Sequence, residues 1–264
     1  MSKRGVIRAI SILIALGCFA YLGFYGWNYW KSSHATEKVA VKKSGLHLDS
    51  NMSTVQEVIT ESGETRKLYV LQQYQDLYNL NKNLIGWIKI EGTQIDYPVM
   101  KSLNGNGEYY LDHNMDQEED RNGTLFMDDA CDVIRPSENW IIYGHNMASG
   151  QMFGDLDLYK SESYYKAHPK VMFDTIYETG IYDVMFAFQS HVFQDTEIAF
   201  KYYQFIDPAS SQEFYSGIEE MKAAAYYDTG VTAKYGERLL ILSTCDYDES
   251  NGRFVVICVR EQDD

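Results

Sequence analysis

The pattern of apolar and polar positions divides the chain into a long apolar run, a polar stretch and a series of short strand-like segments. Residues 10–30 carry no charged side chain and are mostly apolar. This run of 21 residues predicts one helix, long enough to cross a hydrocarbon core of about 30 Å. Lys3, Arg4 and Arg8 precede the run, so the positive-inside rule predicts that residues 1–9 form a cytoplasmic tail.

A cleaved signal peptide is the alternative interpretation of the same run. The apolar part of a signal peptide is usually about 7–15 residues long and ends at small residues. Here the run is longer and ends in four bulky aromatic residues that are typical of a membrane interface: Tyr25, Trp27, Tyr29 and Trp30. We therefore favour an uncleaved anchor, and both interpretations place the rest of the chain outside the cytoplasm.

Residues 31–66 are predicted to form an extracellular linker followed by a short helix. The stretch 31–52 is polar and has no clear period. Ser53 and Thr54 could cap a helix that carries Val55, Val58 and Ile59 on one face. A second helix is predicted over residues 67–81, because leucines recur there at roughly helical spacing: Leu68, Leu71, Leu77 and Leu80.

From residue 85 onward, short apolar runs alternate with turns, which is typical of strands. The predicted strands are 85–90, 94–100, 124–127, 139–143, 171–177, 182–191, 238–244 and 253–260. One helix is predicted between the strands 182–191 and 238–244. It begins at Asp207 and Pro208, reaches about residue 227 and carries Phe214, Ile218 and Met221 on one face. Eight short strands and few helices predict a mainly β fold, a small closed β-barrel.

Charge and composition narrow the classes of function. The formal net charge is −15, and the first 31 residues hold four basic residues and no acid. The remaining 19 basic and 38 acidic residues give −19, a charge that disfavours binding to nucleic acid. Cys18 lies in the apolar run, and the other three cysteines, an odd number, show no metal-type spacing. A disulfide scaffold is not expected in a domain of this size.

The strongest chemical signal lies where two neighbouring predicted strands meet. Residues 239–245 (LLILSTC) run from an apolar strand into Cys245, and Arg253 opens the last strand after a polar turn. His145 also follows an apolar strand, in the segment 139–146 (NWIIYGHN). A thiol needs a base or a cation nearby to become a thiolate, an imidazole can protonate a leaving amine, and a guanidinium can stabilise an oxyanion. These three residue types suffice for acyl transfer.

Each of these residues also has a plain structural interpretation. A cysteine at a strand end is usually a packed small side chain, a histidine in a loop is usually on the surface, and Arg253 could pair with Asp246, Asp248 or Glu249. Cys131 and Cys258 are predicted to be structural. The acidic run 116–120 (DQEED) could bind calcium but is better explained as a solvated loop, so we expect no metal and no cofactor.

At these residues the sequence resembles the sortases, and class B among them. The sortase signature of Leu-x-Thr-Cys is matched by residues 242–245, with Arg253 on the next strand and His145 upstream. The class B resemblance extends over about residues 68–260 and includes 85–88 (IGWI), 93–99 (TQIDYPV), 143–147 (YGHNM) and 152–154 (MFG). It implies an eight-stranded barrel with N-terminal helices, a helical insertion between the sixth and seventh strands and a catalytic domain over 67–264.

The resemblance also implies a reaction. Cys245 would attack the Thr carbonyl of a C-terminal sorting motif in a secreted protein. The enzyme sequence does not identify the motif, and class B members use several, including Asn-Pro-x-Thr and Pro-Pro-x-Thr-Gly types. The thioacyl enzyme would then be resolved by an amine of the peptidoglycan precursor. His145 would serve as acid and base, Arg253 would stabilise the oxyanion, and Ser243, Thr244 and Asn146 would bind the substrate. The enzyme would be anchored on the outer face of a Gram-positive-type cell membrane.

Three other functions remain open at the level of the sequence. A pilus polymerase would use a pilin Lys amine as the acceptor with the same residues. A cysteine peptidase would resolve the thioacyl enzyme with water, and a surface adhesion domain would not need Cys245 at all.

Overall fold

A computed structural model describes residues 10–27, 30–31, 55–59, 65–194, 197, 199–246 and 251–262. Of residues 55–59, 66, 245 and 246 it describes the backbone alone. The chain forms two compact units, Met1–Gly45 and Leu46–Asp264.

The first unit contains the predicted apolar helix. Helix α1 (Ile10–Trp27) has a mean hydropathy of 1.7 and is exposed along its whole length. By length and composition this helix could cross a membrane, and an N-terminal signal sequence would meet the same criterion. The predicted tail 1–9 and linker 31–52 lie outside the described residues, apart from Lys31.

The helix predicted to begin at residue 53 is wrong, because a hairpin of strands occupies this part of the chain. Strand β1 (Val55–Ile59) pairs antiparallel with β2 (Thr65–Tyr69), from Val55 opposite Tyr69 to Ile59 opposite Thr65. Valine and isoleucine are branched at Cβ and favour strands. Over so few residues the apolar spacing fits both a helix and a strand, and pairing with β2 selects the strand.

The second predicted helix is confirmed only in its last part. Residues up to Tyr69 belong to β2, a 3-10 turn follows at Gln72–Tyr74, and helix α2 spans Gln75–Leu80. Leu77 is fully buried, whereas Leu80 is exposed. The backbone N–H of Leu71 donates to the carbonyl of Ile176 at 2.7 Å, which ties this segment to the barrel and interrupts the helical path.

All eight predicted barrel strands are present and close into a barrel. They are β3 (Leu84–Lys89), β4 (Asp96–Met100), β5 (Leu125–Met127), β6 (Asn139–Gly144), β7 (Lys170–Thr175), β8 (Ile181–His191), β9 (Leu239–Asp246) and β10 (Gly252–Arg260). Their order around the barrel is β10-β8-β7-β3-β4-β5-β6-β9. Two neighbouring pairs, β4 with β5 and β6 with β9, are parallel, and the others are antiparallel.

Strands β9 and β10 form the most deeply buried part of the sheet. The side chains of residues 239–242 and 254–258 are fully buried, without the alternation of a half-exposed strand. The 3-10 helix Gly154–Lys160 packs against both strands, so they are covered on the outside as well as facing the barrel core. Continuous apolar runs are the pattern of strands buried on both faces. This double burial fixes the ends of β9 and β10, where the candidate chemistry lies.

Helix α4 (Ser211–Ala224) is the predicted insertion between the sixth and seventh barrel strands, β8 and β9. Its buried face includes Phe214, Ile218 and Met221, as predicted. The predicted start at Asp207 is wrong. Ser210 caps the helix by accepting from the N–H of Glu213 at 3.2 Å, whereas Asp207 accepts from the N–H of Glu138 at 2.8 Å. A short helix α3 (Glu162–Ala167) precedes β7.

Candidate active site

The register of three neighbouring strands brings together the backbones of the predicted catalytic residues. In the antiparallel pair β9 and β10, Cys245 lies directly opposite Arg253. In the parallel pair β6 and β9, the last aligned residues are Gly144 and Thr244. His145 and Cys245 come next on these two strands, and neighbouring strands lie about 4.8 Å apart. The backbone of Cys245 therefore sits between those of His145 and Arg253, although the chain separates the cysteine and the histidine by 100 residues.

A cavity of about 410 Å³ opens at this end of the barrel. It is lined by Gly107, Glu108, Leu111, Phe126, Asp128, Asp129, Tyr143, Gly144, His145, Val192, Tyr202, Tyr203, Ser243, Thr244 and Arg253. Four of the six predicted site residues, His145, Arg253, Ser243 and Thr244, thus share one cavity. Its size and mixed lining suit an extended peptide segment more than a metal ion.

His145 is held by a backbone carbonyl rather than by a carboxylate. Its Nε2 atom lies 2.7 Å from the carbonyl oxygen of Leu111, in the loop between β4 and β5. The imidazole is half-buried at the cavity wall. A carbonyl oxygen only accepts hydrogen bonds, so Nε2 carries a hydrogen atom here.

Arg253, the second residue of β10, is half-buried and lines the cavity. Its Nη1 atom donates to the carbonyl of Gly252 at 2.9 Å. In the part of the chain that the structure describes, this bond to a neutral carbonyl uses one of the five N–H donors of a guanidinium. The remaining donors suit the binding of a substrate carbonyl or an oxyanion. The predicted ion-pair partners Asp248 and Glu249 lie outside the described residues, and of Asp246 only the backbone is described.

The two hydroxyl residues before Cys245 are buried and hydrogen-bonded. Ser243 Oγ lies 2.8 Å from the hydroxyl of Tyr202, and Thr244 Oγ1 donates to the carbonyl of Gly144 at 2.8 Å. The second bond crosses from β9 to β6 at the last aligned pair. Both bonds fix the end of β9, so Ser243 and Thr244 shape the floor of the cavity and also hold the strand that carries Cys245.

Tyr143 and the carboxylates of Asp128, Glu108 and Asp129 also line the cavity. The hydroxyl of Tyr143 donates to Asp128 Oδ2 at 2.9 Å. Burial, followed by the charge of Asp128, raises the pKa of Tyr143 far above its usual value, so its hydroxyl stays protonated. Glu108 and Asp129 are exposed near the mouth, where Asp129 lies beside Gly107.

The predicted structural cysteines are confirmed as buried. Cys131 and Cys258 are both fully buried free thiols. Burial raises the pKa of Cys131 to about 12 and that of Cys258 further, so neither forms a thiolate readily near neutral pH. Cys131 also accepts a hydrogen bond from the N–H of Ile141 at 3.4 Å. Cys18 is exposed on α1, and the thiol of Cys245 is outside the described side chains.

Asn146 is not among the residues that line this cavity in the described part of the chain. It is buried, and its amide donates to Asp157 Oδ2 at 2.9 Å, in the 3-10 helix that covers β9 and β10. Its predicted contact with substrate stays a prediction. The acidic run 116–120 is mostly exposed, and the described residues contain no group of three His, Cys, Asp or Glu placed to hold a metal ion.

Several residues that line the cavity were not predicted as site residues from the sequence. Tyr143 could have been found, because alternation along β6 puts it on the same face as His145, two residues later. Tyr202 and Tyr203 come from a 3-10 turn after β8, and Leu111 comes from the 3-10 turn Tyr109–Leu111. Turns of this kind carry no period, so their position at the cavity follows only from the closed barrel.

Comparisons with known proteins agree with one another. The family model described as Sortase domain matches residues 88–261. Sortase B of Listeria monocytogenes is 31% identical over 92% of this chain and 92% of its own length. Sortase B of Staphylococcus aureus is 29% identical over 72% of this chain and 75% of its own length.

Solved structures extend the similarity to the fold. The Staphylococcus aureus sortase B–substrate complex superposes with a TM-score of 0.71 at 25% identity, covering 89% of this chain and 98% of that one. Sortase B of Bacillus anthracis in complex with AAEK1 gives 0.68 at 27% identity, covering 89% and 99%. The matched domain model and the sequence relatives together show that this chain belongs to the sortase family, in class B, whose members are cysteine transpeptidases.

Proposed function

We propose that this transpeptidase cleaves a C-terminal sorting motif of secreted proteins after its Thr, with Cys245 as the nucleophile. In the proposal, the acylated protein is then transferred to an amine of the cell-wall precursor. The observation that carries the proposal is the strand register, which places the backbone of Cys245 between His145 and Arg253 at the edge of a peptide-sized cavity. Support also comes from the similar Staphylococcus aureus sortase B, which was solved with a substrate.

The proposed first half-reaction forms a thioester. The thiolate of Cys245 attacks the Thr carbonyl carbon, and the carbonyl electron pair moves onto oxygen, where Arg253 stabilises the charge. When the oxyanion collapses, the C–N bond breaks. The oxyanion pair re-forms the carbonyl, and the leaving amine keeps the electron pair of the broken C–N bond and takes a proton from His145.

The proposed second half-reaction reverses the proton flow. The acceptor amine attacks the thioester carbon and passes a proton to the now neutral His145. The C–S bond breaks, the thiolate of Cys245 is restored, and a new amide joins the protein to the acceptor. No oxidant, metal or cofactor is required for either step, because the substrates supply both the bond broken and the nucleophile.

The cavity supports distinct roles for its described residues. Arg253 lines the cavity and carries a guanidinium with five N–H donors, so we assign it to the substrate carbonyl and the oxyanion. Ser243 and Thr244 form the floor beneath the bound motif, while their hydroxyls are engaged with Tyr202 and Gly144. The aromatic side chains of Tyr143, Tyr202 and Phe126 supply apolar contact area for the peptide.

We further propose a single-pass membrane location with the catalytic domain 67–264 outside the cell. Helix α1 has the length and hydropathy for a span, and Lys3, Arg4 and Arg8 favour a cytoplasmic N-terminus. In this arrangement residues 31–66 connect the membrane to the domain. Both reaction partners reach the same surface, because the secreted protein emerges there and the wall precursor is carried on a lipid.

The proposal is tested by product partitioning. The full chain in detergent is incubated with peptides of the Asn-Pro-x-Thr and Pro-Pro-x-Thr-Gly types, with and without a cross-bridge amine or a pilin-type Lys peptide. Mass spectrometry should show cleavage after Thr, a thioacyl adduct on Cys245, and diversion of the product from acid to amide when amine is added. Cleavage with no diversion at any amine concentration would instead identify a hydrolytic peptidase.

Arg253→Lys is expected to lower kcat/KM for peptide cleavage by about 10²-fold or more, the scale for losing one oxyanion donor. Lysine keeps the positive charge but lacks the planar fork that can hold a carbonyl oxygen while still donating to Gly252. Steady-state kinetics on the sorting peptide measure the effect.

Arg260→Lys is the matched control, because Arg260 lies at the far end of the same strand and its Nη1 pairs with Glu178 at 2.8 Å. Its kcat/KM should stay within about threefold of the parent, since surface ion pairs contribute little. Equal losses in both variants would assign the effect to folding rather than to the cavity.

A further inference from the structure

The hydrogen bond between His145 and the carbonyl of Leu111 has consequences for the proposed proton transfers. Because that carbonyl can only accept, the bond favours a hydrogen on Nε2 in both the neutral and the charged imidazole. Nδ1 is then the ring nitrogen whose proton comes and goes. Among side chains, a carboxylate often fixes a catalytic imidazole in this way; here the partner is a neutral backbone group.

Hydrogen bonds fix the position of the segment that carries the Leu111 carbonyl. Tyr110, the preceding residue, is almost fully buried at 1% exposure. Its hydroxyl accepts hydrogen bonds from Asn81 Nδ2 at 3.0 Å and from Asn83 Nδ2 at 2.9 Å. Its own carbonyl accepts from the N–H of Thr124 at 2.8 Å. The 3-10 turn Tyr109–Leu111 is therefore anchored by a side chain below it and by a backbone bond beside it.

The backbone of Gly123 packs closely against the carbonyl groups of this turn. Its φ is +55°, and a Cβ atom at this position would meet the carbonyl oxygens of Tyr110 and Leu111, with the Leu111 carbonyl carbon only 2.7 Å away. All three contacts are backbone atoms, so a side chain at residue 123 has to displace the turn itself. The glycine leaves space for the very carbonyl that His145 uses.

We propose that the Leu111 carbonyl is the positioning group of His145, and that Gly123 and Tyr110 hold it in place to keep the imidazole in the Nε2–H tautomer. The inference rests on the proposed function of His145 as acid and base. The carbonyl acts through His145 and does not touch the reacting atoms. Leu111 also lines the cavity, but displacing its carbonyl should slow the proton transfers more than it weakens substrate binding.

Gly123→Ala is the principal test. The full chain, labelled with ¹⁵N-histidine, is studied in detergent at alkaline pH, where imidazoles are neutral. Nitrogen chemical shifts distinguish a ring nitrogen that bears hydrogen from one that does not, and His145→Gln identifies the signals of His145 among the six histidines. The parent should show hydrogen on Nε2, and Gly123→Ala should show a mixture of tautomers.

The same variant should lower kcat for peptide cleavage by about 10²-fold, the scale for a misplaced catalytic group, with KM changed less than about threefold. Gly105→Ala is the matched control. Gly105 lies in the same loop with φ +72°, so alanine there has the same left-handed backbone, but nothing lies within 4 Å of its added Cβ. Its His145 spectrum and its kcat should match the parent.

A second variant protects the test against a folding defect. An α-hydroxy acid with the aspartate side chain at position 112 converts the 111–112 peptide into an ester and weakens the Leu111 carbonyl as an acceptor without adding atoms. It should shift the tautomer and lower kcat in the same direction as Gly123→Ala, relative to the same protein with an ordinary residue 112.

Unchanged His145 nitrogen shifts in a folded Gly123→Ala protein or in the ester protein would overturn the inference, as would equal shifts in Gly105→Ala. Failure of the proposed function looks different, because the parent protein would then lack peptide cleavage whatever the spectra show. The spectra need no turnover, so the two failures are separable.

Discussion

Cys245→Ala is expected to remove peptide cleavage and transfer, lowering kcat by about 10⁴-fold or more, as the loss of a covalent nucleophile does. In the proposed mechanism no other group can hold the acyl chain between the two half-reactions. The thioacyl adduct should disappear together with both the acid and the amide product. Intact-mass spectrometry and peptide turnover measure the two effects on the same sample.

Cys258→Ala is the matched control for this prediction. Cys258 lies on the neighbouring strand β10, within the barrel core, and its pKa is raised by burial so that it remains a thiol. Its replacement leaves a small cavity and should reduce the free energy of unfolding by about 1 kcal/mol while kcat stays near the parent value. An adduct that persists in Cys245→Ala would move the nucleophile to another residue and contradict the proposal.

The barrel could be predicted from the sequence because its strands carry a strong local signal. Residues 239–242 and 254–258 are continuous apolar runs bounded by polar turns, and the structure buries them on both faces. The predicted strands match the observed ones to within about two residues at most ends. Strand ends in turn placed Cys245, His145 and Arg253, and the register brings the backbones of these three residues together, while their catalytic roles stay a prediction.

The errors occurred where a pairing strand or a backbone group, rather than the local pattern of side chains, decides the structure. Val55, Val58 and Ile59 fit a helix face as well as a strand, and only the pairing with β2 selects the strand. Asp207 was predicted to cap α4, but the N–H of Glu138, 69 residues away, binds it instead. The carbonyl of Leu111 was missed for another reason, since residue type says nothing about where a backbone oxygen points.

The same limit explains which parts of the cavity were found. The hydroxyls of Ser243 and Thr244 precede the candidate nucleophile and were visible in the motif, whereas Tyr202 enters from a turn 41 residues earlier and meets Ser243 only in the folded barrel. A linear motif therefore identifies the strand ends, and the closed sheet determines which loop residues complete the wall.

His145→Gln is expected to lower kcat for peptide cleavage by about 10²–10⁴-fold, the usual range for removing a general acid–base. Glutamine can still donate a hydrogen bond toward the Leu111 carbonyl, so the loop between β4 and β5 should keep its position. What is lost is the acid–base group that the leaving amine and the acceptor amine both need. Unlike Cys245→Ala, this variant should still form the thioacyl adduct, at a rate that single-turnover mass spectrometry can follow.

His168→Gln provides the control, because both histidines contact a backbone carbonyl but only His145 is among the described residues that line the cavity. The Nδ1 atom of His168 lies 2.8 Å from the carbonyl oxygen of Glu91, and the residue does not line the cavity in the described part of the chain. Its replacement should change kcat less than about threefold, since it removes a carbonyl contact without touching the proton path. Comparable losses in both variants would mean that carbonyl-bound histidines support the fold, and full activity of His145→Gln would show that the leaving amine obtains its proton from a different group.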